Sequence, residues 1–204
     1  MSDGATLWRG SAPLLLASTS ETRRRLLESA GLSVDAEAPD IDERAIEDRG
    51  ADAADIARRL AGDQALAVSR LGPGRRVRGA EQTLACDGRQ FHKPVDRAAA
   101  REQLLFLSGR THVLHSAFAL AQAGSVIHEG YDEARMTMRP LADAAIDSYL
   151  DQAGDAALRS VGCYRVEGLG IHLFDRIEGV HSTILGLPLV PLLAILRSRG
   201  LLAF

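Results

Sequence analysis

The apolar run Leu14-Leu15-Leu16-Ala17 stops at Ser18-Thr19-Ser20 and passes at once into a helical pattern over residues 21–30. A short buried strand that turns straight into a helix commits a chain to an α/β arrangement. Gly31 sits where helices usually stop. Residues 32–38 alternate like a second strand, which Pro39-Asp40 breaks, and the acidic stretch 40–48 reads as an exposed loop. Residues 51–71 carry a long helical pattern with Ile56, Leu60, Ala61, Ala65 and Leu66 inward, and Gly72-Pro73-Gly74 turns the chain. A central strand is expected over 77–85, with Asp87-Gly88 as a hairpin signal and a return through 90–91. Asp96 is placed as N-cap of a helix to 107. Two long strands over 111–121 and 125–138 join around Gly124, followed by a helix over 141–152, a strand over 168–174 and a closing helix over 188–199. This order predicts one α/β domain spanning residues 1–204, a central mixed, twisted β-sheet flanked by helices.

Composition narrows the function. A net charge of −3 without a basic stripe argues against a general nucleic-acid binder, and 4% aromatic residues leave no stacking platform for single strands. The apolar stretches 13–17 and 184–196 are too short to span a bilayer, and residues 1–12 lack the features of a signal peptide. The expectation is a cytoplasmic protein with neither membrane nor nucleic acid as partner. Cys86 and Cys163 match no zinc spacing and read as reduced, partly buried thiols. Among 24 basic residues Lys93 is the single lysine. It offers a compact, titratable ammonium that arginine cannot supply, against the alternative of chance survival under coding bias.

The segment from Ser18 to Arg23 has the chemistry of an anion site. A helix N-terminus presents unpaired N–H groups and the positive end of the dipole. Ser18 and Ser20 add hydroxyls, and Arg23 lies in the first turn where its fork can reach the same anion. The alternative is an ordinary serine N-cap with solvated arginines. The loop is no Walker motif and lacks the glycine spacing of a dinucleotide fold.

Leu16-Ala17-Ser18-Thr19-Ser20 followed by Arg23-Arg24 and Leu26-Leu27 resembles the opening signature of the Maf-like nucleoside triphosphate pyrophosphatase family, also known as septum formation Maf-like proteins. The resemblance runs on through Pro39-Asp40-Ile41-Asp42-Glu43, Gly79-Ala80-Glu81-Gln82-Thr83, Lys93-Pro94 and Leu107-Ser108-Gly109-Arg110-Thr111-His112, then Glu167-Gly168-Leu169-Gly170 and Gly186-Leu187-Pro188-Leu189. Seven pieces in order cover almost the whole chain.

The resemblance implies a Maf/ITPase-like fold and hydrolysis of a nucleoside triphosphate between the α and β phosphates, with Mg²⁺ or Mn²⁺ and as a homodimer. Carried onto this chain, Ser18, Ser20 and Arg23 would hold the triphosphate, and Lys93 would neutralise charge growing on the phosphates. Glu43 and Glu81 would supply carboxylates for the metal and the attacking water. Thr22, Gln82 and Glu167 fall where the family sets base choice. Gln82 and Glu167 are similar to the branch acting on 7-methyl-GTP, and a carboxylate at 167 suits a purine with positive charge or exocyclic donors.

Three positions depart from the family. Its central acid is normally Asp where this chain has Glu81, it usually has Lys where Gln64 stands, and Gly179-Val180-His181 replaces a segment that commonly reads Gly-Asp-Tyr. Displacing a carboxylate by a bond length can cost about a hundredfold in rate, and a lost cation removes transition-state stabilisation. Two readings stand: a working pyrophosphatase, slower than its relatives, or a weakened, nucleotide-binding regulatory protein. His181 is placed as a loop residue. The remaining histidines, His92, His112, His115, His128 and His172, are placed at the surface or as satisfied core groups rather than in a zinc site, and Arg24, Arg25, Arg75 and Arg76 as solvated faces.

Overall fold

The computed structural model describes residues 7–41, 52–70 and 74–204. Along the chain come β1 (Leu14–Ala17), α1 (Glu21–Ser29), β2 (Val34–Glu37), α2 (Ala53–Ser69), β3 (Arg76–Cys86), β4 (Arg89–Phe91), α3 (Arg97–Leu107), β5 (Thr111–Gln122) and β6 (Ser125–Met138). Then follow α4 (Asp143–Ala153), α5 (Asp155–Leu158), 3-10 turns over Val161–Cys163 and Leu169–Leu173, β7 (Phe174–Glu178), α6 (His181–Ile184) and α7 (Leu189–Ser198). The seven strands form one sheet in the order β2-β1-β3-β5-β6-β7, with β4 paired to β3. β1 runs parallel to β2 and β3, whereas β3/β4 and β6/β7 are antiparallel, so the sheet is mixed. The chain divides into two compact units, one of Met1–Gln82, Ser116–Asp132 and Val180–Phe204, the other of Thr83–His115 and Glu133–Gly179.

In the first unit the strand alternation sorts side chains to two faces. Leu14, Leu16, Ala80, Phe118 and Leu120 pack with Leu27 of α1 and with Leu192 and Leu196 of α7. On the opposite face Leu15, Ala17 and Val77 meet Val68 of α2. Beside them, Ala57, Ala61 and Ala65 at helical spacing lie against Ala117, Ala119 and Ala121 at strand spacing. The alanines let α2 approach the sheet closely. A Cβ on Gly79 would fall 2.0 Å from the Ala61 carbonyl oxygen and 2.7 Å from the Ala65 nitrogen, so only glycine fits there. α1 ends in a Schellman motif: Gly31 takes φ +76°, its N–H donates to Glu28 O and that of Leu32 to Leu27 O.

The second unit is built round α3, capped by Asp96, whose Oδ1 accepts from Ala99 N at 2.8 Å. Asp87 and Gly88 turn the β3–β4 hairpin with φ of +49° and +77°, the signs a type I′ turn requires. Its core pairs most of its buried polar groups, although His112 Nδ1 has no hydrogen-bond partner among the described residues. The buried His112 Nε2 lies 2.6 Å from Tyr164 Oη, Tyr149 Oη donates to Cys163 O at 2.9 Å, and the Cys163 thiol donates to Gln103 Oε1.

Two expectations are corrected. The segment expected as a strand over 168–174 is a 3-10 turn over Leu169–Leu173, and the strand begins only at Phe174. The alternation of Leu169, Ile171 and Leu173 is misleading, since Leu169 and Ile171 are exposed. Gly170 packs so close to Arg165 that a Cβ would lie 2.5 Å from its carbonyl oxygen, which folds the chain back on itself instead of extending it. His181 opens the short helix α6 rather than lying in a loop, with Thr183 and Ile184 N–H groups bonded to Val180 O. Leu71, Gly72, Pro73 and the whole of the acidic stretch after Ile41 lie outside the described residues.

Candidate functional site

β1 ends at Ala17, opposite Gly79 of β3, and the next three residues lead into α1. Ser20 is the N-cap, its Oγ accepting from Arg23 N at 3.3 Å. Ser18 Oγ accepts from Ser20 N at 3.2 Å and from Arg23 Nη1 at 3.4 Å. Both hydroxyls serve here as acceptors, which leaves their protons to donate outward. Arg23 is turned inward. Its side chain is 12% exposed, Nε donates to Gly186 O at 2.9 Å and Nη2 lies 3.4 Å from Glu81 Oε1. Arg24 and Arg25 instead pair along the helix with Glu28 and Glu21 on its exposed face. Gly186 takes φ +89°, a conformation that favours glycine, beside the Arg23 guanidinium.

The Glu81 carboxylate is held from three sides. Oε1 accepts from Gln82 N at 2.8 Å and faces Arg23, and Oε2 accepts from Gln64 Nε2 at 2.7 Å. Gln64, buried on α2, also accepts from Ala80 N at 3.2 Å, so its amide bridges the β3 backbone and the carboxylate. Glutamine is one bond shorter than lysine and glutamate one bond longer than aspartate. Gln64 and Glu81 therefore span the same combined reach as the Lys and Asp that the resemblance implies there, with one positive charge fewer.

Gln82 is on β3 with its amide nitrogen committed. Nε2 donates to Ser116 Oγ at 3.0 Å, to Thr183 O at 2.9 Å and to Ile184 O at 3.1 Å. Three oxygens fix which way the amide points and turn Oε1 toward Gly186, with no hydrogen-bond donor on it among the described residues. Ser116, which also donates to Thr183 O at 2.8 Å, and Thr183, which donates to Asp132 Oδ2 at 2.6 Å, were missed by sequence reasoning. The available signal was a serine inside the apolar run of β5, a buried polar group that must find a partner.

Thr22 is half-buried in the first turn of α1. Ser18, Ser20, Arg23, Glu81 and Gln82 thus gather in the first unit, whereas Lys93 and Glu167 belong to the second. Lys93 is exposed ahead of the buried Pro94. Glu167, also exposed, lines a cavity of about 250 Å³ with Arg165, Gly168, Gly170 and Tyr149. Glu43 lies outside the described residues, and among the described residues no three His, Cys, Asp or Glu side chains gather to hold a metal. A single carboxylate such as Glu81 still fits Mg²⁺ in donor type, because that ion is held by one or two carboxylates plus substrate phosphates. Thiol chemistry is disfavoured: burial pushes Cys163 up to about 12 and raises Cys86 as well, so neither provides thiolate at neutral pH. Burial likewise lowers His112 to about 4 and keeps it neutral. No helix among the described residues is long and apolar enough to cross a membrane.

Residues 13–199 match the family model described as Maf-like protein. The chain is 56% identical over 201 residues to a nucleoside triphosphate pyrophosphatase of Rhodopseudomonas palustris (strain BisB18), covering 98% of this chain and 100% of that one. It is 48% identical over 191 residues to a 7-methyl-GTP pyrophosphatase of Rhizobium meliloti (strain 1021), covering 92% and 96%. A solved nucleoside-triphosphatase (dITP/XTP pyrophosphatase) of Mycobacterium abscessus aligns over 92% of this chain and 95% of that one, with a TM-score of 0.41 and 18% identity.

Proposed function

Because this chain belongs to the Maf family, we propose that it is a cytoplasmic nucleoside triphosphate pyrophosphatase, acting as a homodimer on 7-methyl-GTP or a similar purine triphosphate. The observation that carries the reading is the meeting of Ser18, Ser20 and the inward Arg23 with the Glu81 carboxylate. The α1 N-terminus, the two hydroxyls and the Arg23 fork bind and orient the phosphates. Glu81 and Glu43 would hold a divalent ion, which when bound supplies charge neutralisation and polarises the phosphates. Glu81 also accepts a proton from the attacking water, and Lys93 offsets charge on the leaving pyrophosphate. Gln82 Oε1 meets a donor on the base, and Glu167 complements a cationic purine.

Pyrophosphate release tests this with Mg²⁺ or Mn²⁺ across 7-methyl-GTP, GTP, dTTP, UTP and CTP, with nucleotide binding measured on the same samples. Turnover concentrated on 7-methyl-GTP is the expected result; turnover concentrated on a pyrimidine triphosphate would remove the roles of Gln82 and Glu167. Lys93→Ala should lower kcat about a hundredfold, the scale of one lost electrostatic contact to a transition state. Unchanged turnover would take Lys93 out of the mechanism.

A second reading, a protein that binds nucleotides with weakened turnover, is favoured by one feature. Both Glu81 oxygens already accept hydrogen bonds, from Gln82 N and from Gln64 Nε2, which competes with metal and water. The paired change of reach argues that Glu81 is adapted to Gln64. Glu81→Asp alone should therefore lower turnover about tenfold, because its carboxylate withdraws from Gln64, a displacement of the kind that costs rate. Gln64→Lys with Glu81→Asp should exceed the parent chain. A double-mutant cycle on kcat checks this, and additivity of the two changes would show that they are unrelated.

A further inference from the structure

Arg78 is the largest fully buried side chain among the described residues, and none of its three guanidinium nitrogens has a hydrogen-bond partner there. A charged group in that condition is costly, and an apolar residue of similar size would serve the core better. Its position explains what it faces. Arg78 lies opposite Leu16 in the parallel β1/β3 pair and shares a strand face with Ala80, so its side chain enters the layer under α1 and α7. Arg23 and the core residue Leu27 are four apart on α1 and project from the same side of the helix into that layer. The Arg23 charge joins burial in lowering the Arg78 guanidinium, to about 9, which leaves it charged at neutral pH. Arg78 thus feels the charge of Arg23, and Arg23 is the cation that reaches Ser18 and pairs with Glu81.

We propose that Arg78 is a second, buried cation of the anion site, whose uncompensated charge is neutralised when the polyphosphate end of a nucleotide docks on Ser18, Ser20 and Arg23. This rests on the reading of that loop as the phosphate site. The cost of burial falls on the empty protein and is relieved in the complex, so Arg78 sharpens the preference for a multiply charged anion without touching it. It acts through Arg23 and the local field, as a positioning residue.

The test is titration of the full chain with inorganic pyrophosphate, with thermal unfolding of the same samples, for the parent chain, Arg78→Met and Arg78→Lys. Arg78→Met should raise the unfolding midpoint of the empty protein and weaken pyrophosphate binding on the order of tenfold, as loss of a poorly screened charge implies. Arg78→Lys should restore most of that affinity, which a purely space-filling role would not. If Arg78→Met lowers the midpoint and binds pyrophosphate as tightly as the parent, the proposal is overturned alone. A parent chain that ignores pyrophosphate while Arg23→Gln changes nothing overturns the phosphate site itself, and Arg78's role with it.

Discussion

Arg23→Gln should lower pyrophosphate release by about a thousandfold, while Arg24→Gln and Arg25→Gln should stay within about twofold of the parent chain. The contrast follows from where three neighbouring arginines point. Arg23 is the inward one, tied to Gly186 O, Ser18 Oγ and Glu81, and the other two pair with Glu28 and Glu21 in solvent. Exposed pairs of that kind contribute little. Removing an enclosed cation aimed at developing phosphate charge costs roughly two to three orders of magnitude in kcat. The glutamine variant also frees Glu81 of its positive neighbour, so metal dependence should change together with rate. Equal losses in all three variants would mean that the effect comes from net charge and not from the site.

The second large effect is on stability. Gly79→Ala should lower the unfolding midpoint by about 10 °C, taking overpacking at the upper end of its range, about 3 kcal/mol, and a few degrees per kcal/mol for a chain this long. The reason is backbone, not side chain: the added Cβ would overlap the Ala61 carbonyl and the Ala65 nitrogen, and neither can rotate away. Gly74→Ala is the control, since a Cβ there meets no atom of the described residues within 4 Å. It should shift the midpoint by no more than about 1 °C, as surface changes generally do. A Gly79→Ala protein that melts with the parent would show slack between α2 and β3 and would remove the close approach from the account of the fold.

Much of the fold was legible because its signals are local. Continuous apolar residues in β1, helical spacing in α2, Asp87-Gly88 at the hairpin and Asp96 before α3 each act over a few residues, and each element stands close to where the pattern puts it. The stretch from Leu169 to Leu173 failed because its conformation is dictated by the close approach of Gly170 to Arg165, which no periodicity encodes. For the candidate site, the grouping of Ser18, Ser20 and Arg23 was readable because helix capping acts over a short local spacing. The partners of Gln82 were not, since Ser116, Thr183 and Ile184 lie far along the chain and identify themselves only once the sheet is assembled. Gln64 looked like a lost cation from sequence. Its position as a bridge between Ala80 N and Glu81 depends on how closely α2 lies on β3.

That closeness couples two selections that usually act apart. The helix that seals the sheet with Ala57, Ala61 and Ala65 is also the helix that delivers Gln64 to the carboxylate. A larger residue anywhere along the alanine seam lifts α2 and draws Gln64 away from Glu81 in the same movement. In a library of variants, the seam and the carboxylate should therefore behave as one epistatic block. Activity lost through Ala61→Val should be recovered by changes of reach at 64 or 81 as readily as by changes that restore packing.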